Sequence, residues 1–168
     1  KLQELSVQQF LDCDRGLIDL DMGCTGGNID SAFSFAKQHA ICTEDSYRYE
    51  AADGNCRATN CSIGLQVGWV HGYREVARVP EILPAADERL MSAVSQQPVA
   101  AWIDADKPIF QHYRSGVLSG NCGGGKDHAV IVVGYGVDPV GGEYWKIKNS
   151  FGTDWGMSGY AYLKRHKQ

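Results

Sequence analysis

Lys126-Asp127-His128-Ala129-Val130-Ile131-Val132-Val133-Gly134-Tyr135-Gly136 is a polar loop that delivers one histidine onto the start of an apolar strand. Successive strand residues face opposite ways, so His128, Val130 and Val132 share one side while Ala129, Ile131 and Val133 share the other. A lone histidine at a strand mouth is more often satisfied by a backbone carbonyl than used as a base, so its meaning depends on what stands beside it. The next strand candidate, Tyr144 to Asn149, places Trp145, Ile147 and Asn149 on one face and Tyr144, Lys146 and Lys148 on the other. Asn149 therefore reaches the buried side at the strand's end. A buried carboxamide needs a partner, and an imidazole N–H is a good one. Asn149 accepting from His128 would fix the tautomer and leave the second ring nitrogen free for a nucleophile.

The 168 residues suit one or two small domains, and 43% hydrophobic content is ordinary for a chain that buries a core. No apolar run approaches the roughly 18 residues of a membrane span, and Lys1-Leu2-Gln3-Glu4 has no signal-peptide pattern. With 16 Lys/Arg against 20 Asp/Glu there is no basic face for nucleic acid. The acidic block Asp12, Asp14, Asp19 and Asp21 reads as a solvated face, its spacing unlike a calcium loop. The six cysteines, Cys13, Cys24, Cys42, Cys56, Cys61 and Cys122, show none of the paired spacings of structural zinc. No metal or cofactor is expected. An even count in Gly-rich loops suggests disulfides and an oxidising or lysosomal-type compartment, with connectivity open.

Ser6-Val7-Gln8-Gln9 reads as a capping box, with Leu5 and Phe10 placed to staple the helix start and Leu11 carried to a core. The glycines of Gly23-Cys24-Thr25-Gly26-Gly27-Asn28 predict a loop, and Asp30 is the expected N-cap of a helix with Phe33, Ala36 and Ala40 at helical spacing. His39, near its end, reads as a surface residue without a partner. From Ile41 to Cys61 the chain is turn-rich, with a tight turn expected at Asp53-Gly54-Asn55 and Tyr47 and Tyr49 packed between. A boundary falls near Arg78 to Pro84, giving domains 1–80 and 81–168. Asp87 is the expected cap of a third helix that Pro98 ends. Val99–Asp104, Ala129–Tyr135, Tyr144–Asn149 and Tyr160–Leu163 are strand candidates, interrupted by a short helix from Asp106 to Tyr113. Helices first and an antiparallel sheet or barrel second is an α+β arrangement.

Lys126-Asp127-His128-Ala129 with Val133-Gly134-Tyr135-Gly136, then Tyr144 to Ser150, Gly152-Thr153-Asp154-Trp155-Gly156 and Gly159-Tyr160 resemble the papain family of cysteine peptidases. Gly23-Cys24-Thr25-Gly26-Gly27 and Ser6 to Asp14 match earlier landmarks of that family, so the similarity runs over essentially the whole chain. The resemblance implies a two-domain fold with an incomplete helical first domain and an antiparallel β-barrel second domain. It implies a cysteine-type endopeptidase in which His128 is the base of a thiolate–imidazolium pair and Asn149 orients it. Gly26 and Gly27 would offer a backbone edge to an extended peptide, and Asp127 would give main-chain groups to it. Ala129 and Phe151 would join the substrate surface, and Trp155 would line the leaving-group side. Cys13 would pair with Cys56, and Cys42 is expected to pair with Cys61 as a local extra bridge. A lysosomal, vacuolar or secreted location follows from the same likeness.

The chain also departs from the family. Its catalytic cysteine lies in a Cys-Gly-Ser-Cys-Trp segment preceded by a glutamine, and no such segment occurs in these residues. The expectation is that the chain begins after it and is inactive in isolation. Cys24 and Cys122 would then be bonded to missing segments or to a companion chain. Phe151 stands where the family has a tryptophan. Trp102 falls on the wall of the main specificity pocket, where an indole burying roughly 200 Å² would fill it, or else alternation turns it into the barrel core. A non-catalytic subunit of the same fold, with a binding or structural role, is the alternative function.

Overall fold

A computed structural model describes residues 2–15, 21–76, 83–120 and 123–165, with the side chains of Leu83 and Pro84 left aside. Two compact units divide the chain, Lys1–Arg74 and Glu75–Gln168. The 80/81 boundary, Asp19 and Cys122 lie outside the described residues.

In the first unit, α1 (Val7–Cys13) begins at Ser6, whose side chain accepts from the Gln9 N–H at 3.0 Å. The capping box is only half formed. The Gln9 side chain instead donates to the Ala40 carbonyl at 2.9 Å and accepts from the Cys42 N–H at 2.7 Å, clamping the helix to a distant strand. Phe10 packs on Phe35 with ring centroids 5.5 Å apart, while Leu5 pairs with Thr43.

Helix α2 (Ile29–Gln38) is capped by Asn28, not Asp30, because Asn28 has the extended backbone that a cap requires and its side chain accepts from the Asp30 N–H. Asp30 instead lies in the first turn, where its charge favours the helix dipole. The helix buries Phe35 and Ala36, leaves Phe33 exposed and ends before Ala40. His39 is not partnerless: its ring stacks on Phe35 at 4.4 Å.

Two strands too short to show a period lie in the turn-rich region, β1 (Ile41–Cys42) and β2 (Ile63–Leu65), paired antiparallel. Cys13 is bonded to Cys56 and Cys42 to Cys61. Closing loops of 43 and 19 residues stabilises the unit, in the chain-entropy account, by about 3–4 kcal/mol each.

The acidic block is no solvated face. Asp12 and Asp14 are both buried, and Asp21 accepts from the Asn28 N–H. The Asp12 carboxylate takes the Tyr47 hydroxyl at 2.7 Å, the Gln8 amide at 2.8 Å and the Gly54 N–H at 2.8 Å. Tyr47 is thus buried, whereas Tyr49 is exposed, and Gly54 serves this carboxylate; the neighbouring bend falls at Ala51 and Ala52.

The second unit opens with α3 (Leu83–Val94), which starts four residues before Asp87, so Asp87 lies inside it and is no cap. The chain then forms β3 (Val99–Ile103), α4 (Pro108–Gln111), β4 (Val117–Leu118), β5 (His128–Asp138), β6 (Gly142–Lys148) and β7 (Tyr160–Lys164). They make a five-stranded sheet in the order β3-β5-β6-β7-β4. The α+β class of the sequence reading holds. No closed barrel is found among the described residues, and β4, pairing parallel to β7, means the sheet is not purely antiparallel. The core gathers Val130, Val132, Ile147, Ala161, Phe110, Tyr113 and Trp155 under the sheet, with α3 adding Val94.

The Asp12 carboxyl is pushed up by burial, but the hydrogen bonds from Tyr47, Gln8 and Gly54, with the Arg57 charge, outweigh this and hold it below the usual value. A depressed folded-state value stabilises the unit above the ordinary carboxylate range, and that contribution is lost as pH falls through the folded value. Asp12→Ala is expected to destabilise the chain by about 2–4 kcal/mol, since it strands three donors. Urea titrations from neutral to acid pH should show a steep acid limb in wild type that is flatter in Asp12→Asn; matching limbs would refute this assignment.

Candidate active site

His128 is the first residue of β5 and Asn149 the first after β6, two neighbouring antiparallel strands. The register pairs Ile131 with Lys148, so Asn149 comes opposite Val130, diagonal to His128 and on the same buried face. Their side chains close that diagonal: His128 Nε2 lies 2.7 Å from Asn149 Oδ1. The same oxygen accepts the Ser150 N–H at 2.8 Å. An atom that accepts from a backbone N–H is the carbonyl oxygen, so the amide is not reversed and Nε2 must carry the proton. Nδ1 is left as the acceptor nitrogen. Asn149 is buried, and its Nδ2 has no hydrogen-bond partner among the described residues.

Aromatic rings frame this pair. The Phe151 ring lies 4.9 Å from the imidazole and the Phe110 ring 6.3 Å away, edge-on. Phe110, almost wholly buried, packs on Trp155 at 5.0 Å. The Trp155 indole N–H donates to the carbonyls of Phe110 and Gln111 at 3.2 and 3.1 Å, tying down the end of α4. Trp155 is buried among Phe110, Phe151 and Tyr113. Phe151, 47% exposed, is the open face of the set.

Val99, Ala101 and Ile103 pack against the core, so alternation turns Ala100 and Trp102 to the other side of β3. Trp102 is therefore not a core residue. It pairs across the sheet with Ala129, which is exposed, and lines a cleft of about 320 Å³ together with Phe110 and Lys126. The main-chain N–H of Asp127 is spent on the Ile103 carbonyl at 3.1 Å, and its carboxylate accepts from the Ala105 N–H.

In the first unit, Gly26 uses both its N–H and its carbonyl inside the loop, toward Gly23 and Met22. Gly27 is exposed, with no main-chain hydrogen bond outside the regular elements among the described residues. Gly23 could not carry a side chain there: its φ is +59° and a Cβ would lie 2.1 Å from an Asp53 carboxylate oxygen.

Cys24 is exposed on the 3₁₀ turn Gly23–Thr25. Desolvation and then the Asp53 carboxylate push its thiol up, the reverse of what an activated nucleophile needs. Asp104, Asp106 and Asp127 bring three carboxylate oxygens within 4.8 Å. Gly125 N–H, Lys107 and Ala105 N–H already engage them respectively, and no histidine or cysteine joins them among the described residues. No helix among the described residues is long and apolar enough to cross a membrane.

A histidine and an asparagine are thus paired at adjacent strand ends, framed by aromatic rings. Comparison with known proteins gives the family: all of the chain, residues 1–168, matches the papain family cysteine proteases. It is 40% identical over 167 residues to the senescence-specific cysteine protease SAG39 of Oryza sativa and 42% identical to vignain of Ricinus communis, in each case over 98% of this chain. Among solved structures, the Carica candamarcensis cysteine protease CMS1MS2 in complex with E-64 superposes with a TM-score of 0.83 at 35% identity, over 99% of this chain and 70% of that one. The proform of the ragweed pollen allergen Amb a 11 gives 0.86 at 34% identity, over 100% of this chain and 43% of that one. The chain belongs to the papain family. It spans 45% of the length of the rice relative and 43% of the castor one.

Two measurements check the site as described. The His128 Nε2–H should give a downfield proton resonance that exchanges slowly with water, and Asn149→Ala should remove it; a resonance that survives the substitution contradicts the bond. Alkylation of Cys24 should be slow at neutral pH, with a midpoint above that of a free thiol, and Asp53→Asn should shift the midpoint down.

Proposed function

We propose that this chain supplies the general base and its orienting amide to a cysteine-type endopeptidase whose nucleophilic thiol comes from polypeptide outside these 168 residues. The observation that carries the reading is the 2.7 Å contact between His128 Nε2 and Asn149 Oδ1, with the amide held by Ser150. None of the cysteines suits the role within the described residues: four are bonded in pairs and Cys24 has a raised thiol.

In this reading His128 Nδ1 takes the thiol proton, giving an imidazolium that Asn149 keeps aligned. The thiolate attacks the peptide carbonyl, the imidazolium returns its proton to the leaving amine, and an acyl-enzyme remains. Water, deprotonated by the same nitrogen, then releases the acid and regenerates the thiol. In the first unit Gly27 offers main-chain hydrogen bonds to an extended peptide; in the second, taken by itself, the Asp127 carbonyl does so, and Trp102 and Ala129 lie on the outer face of the sheet as candidates for side-chain contact. Cys24 and Cys122 are sites for bonds to companion polypeptide, in a vacuolar, lysosomal or secreted setting where the two observed disulfides persist.

Co-expression with a segment of a papain-family relative that contains the nucleophile tests this. Peptide hydrolysis and thiol-probe labelling should appear on assembly. His128→Ala should abolish turnover. Asn149→Ala should lower kcat roughly 10- to 100-fold with little change in KM, the size expected for one hydrogen bond to a charged group. An assembled complex that binds peptide, hydrolyses none and labels nowhere would instead establish the non-catalytic subunit.

A further inference from the structure

The carboxamides of Asn28 and Asn149 are both engaged, one capping α2 and the other holding His128. Asn60 differs. It ends the 3₁₀ turn Ala58–Asn60, is exposed, and its carboxamide has no hydrogen-bond partner among the described residues. Two positions on, Ser62 is exposed as well, and its bonds run through its main chain: its N–H donates to Ser46 Oγ at 3.0 Å and its carbonyl accepts from the Thr43 N–H at 2.8 Å. Its hydroxyl is unengaged. Asn60-Cys61-Ser62 thus presents an asparagine and a serine in the spacing that N-linked glycosylation requires, with no proline between.

The surroundings favour modification. Thr59 and Asn60 line an open cleft of about 500 Å³, so a sugar leaving Asn60 enters unfilled space. The two disulfides have partners at Cys56 and Cys61, on either side of Asn60. Bonds of that kind form along the same oxidising export route on which oligosaccharides are transferred.

The folded state also sets an order. Cys61 stands between the two sequon side chains and is bonded to Cys42, which is fully buried, while Thr43 holds the Ser62 carbonyl. Once that bond closes, the tripeptide is pinned against β1 and its main chain is no longer free to be gripped by an enzyme. We propose that Asn60 is N-glycosylated, and that the sugar is added before the Cys42–Cys61 bond forms. The donor is a lipid-pyrophosphate-linked oligosaccharide. The Asn60 Nδ2 forms a C–N bond to the anomeric carbon, the C–O bond to the pyrophosphate breaks, and one amide proton is released.

The test is to express the whole chain behind a secretion leader in a eukaryotic host and to recover both the retained and the exported pools. The wild-type mass should exceed that of the polypeptide by a glycan, fall on treatment with peptide-N-glycosidase, and show Asp at position 60 afterwards. Asn60→Gln and Ser62→Ala should each lose the glycan, and Ser62→Thr should keep it. Cys42→Ala, which frees Cys61 and leaves the tripeptide intact, should raise the glycosylated fraction in the retained pool even if that variant folds poorly. Wild-type chain at bare polypeptide mass in both pools overturns the proposal, as does a glycan that survives Asn60→Gln. Equal fractions in wild type and Cys42→Ala overturn the proposed order.

Discussion

One oxygen atom organises the second unit. Asn149 Oδ1 accepts from the Ser150 N–H and from His128 Nε2 together, and the first bond fixes the amide so that the second has only one proton arrangement. A rotated amide would point its own N–H₂ at the ring and favour the opposite tautomer. The arrangement needs the strand register: slipping β6 by one residue would carry Asn149 to the solvent face and leave the imidazole without its acceptor. Register is held in turn by the buried alternation of Val130, Val132 and Ile147, each with its neighbours turned outward. The core thus fixes the chemistry by fixing which way the strands can pair.

The smallest helix of the unit matters out of proportion to its length. α4 is four residues long, starts with Pro108 and carries Phe110 into the centre of the core. A helix leaves its last carbonyls without partners inside it; the Trp155 indole takes that of Gln111 and shares that of Phe110 with the Tyr113 N–H, while its ring packs on Phe110. That one indole therefore satisfies a helix end and places an aromatic edge near His128. The first unit is built differently. Among the described residues its buried apolar cluster is Phe35, Ala36 and Ile41, with Phe10, Leu65 and Val70 packed against it, and α1 turns Gln8, Gln9 and Asp12 inward. Hydrogen bonds with fixed geometry and two disulfides do there what apolar area does in the second unit, as expected where a small segment cannot bury enough surface.

These contrasts explain what could be read from the chain beforehand. β3, β5, β6 and β7 were legible because alternation over five or more residues is a long signal, and the His128–Asn149 pairing followed from putting two faces together. β1, β2 and β4, of two or three residues, have no period to detect. The inverted α1 was illegible because reading a helix by its apolar stripe assumes that stripe faces inward, whereas Asp12 was drawn in by Tyr47 and Gly54, thirty-five and forty-two residues away. Asn28 and Asp30 are equally good caps by composition; only the backbone after Gly26 and Gly27 decides between them. Trp102 had two readings until the packing of Ala101 and Ile103 showed which face of β3 is buried.

For the base proposed above, the aromatic surround of His128 resolves a conflict. Its bond to Asn149 gains from exclusion of water, since a hydrogen bond strengthens as the local dielectric falls. In the proposed mechanism its other nitrogen meets a nucleophile, a leaving group and a water in succession. Burying the ring completely would serve the first need and defeat the second. The structure divides the two: Phe110 and Trp155 seal the inner side without exposure, and Phe151, close to the ring but 47% exposed, covers the outer side only in part. A wider ring at that position would shelter the bond further and narrow the approach. The phenyl ring of Phe151 sets the balance toward access, and the sealing of the bond rests correspondingly on Phe110.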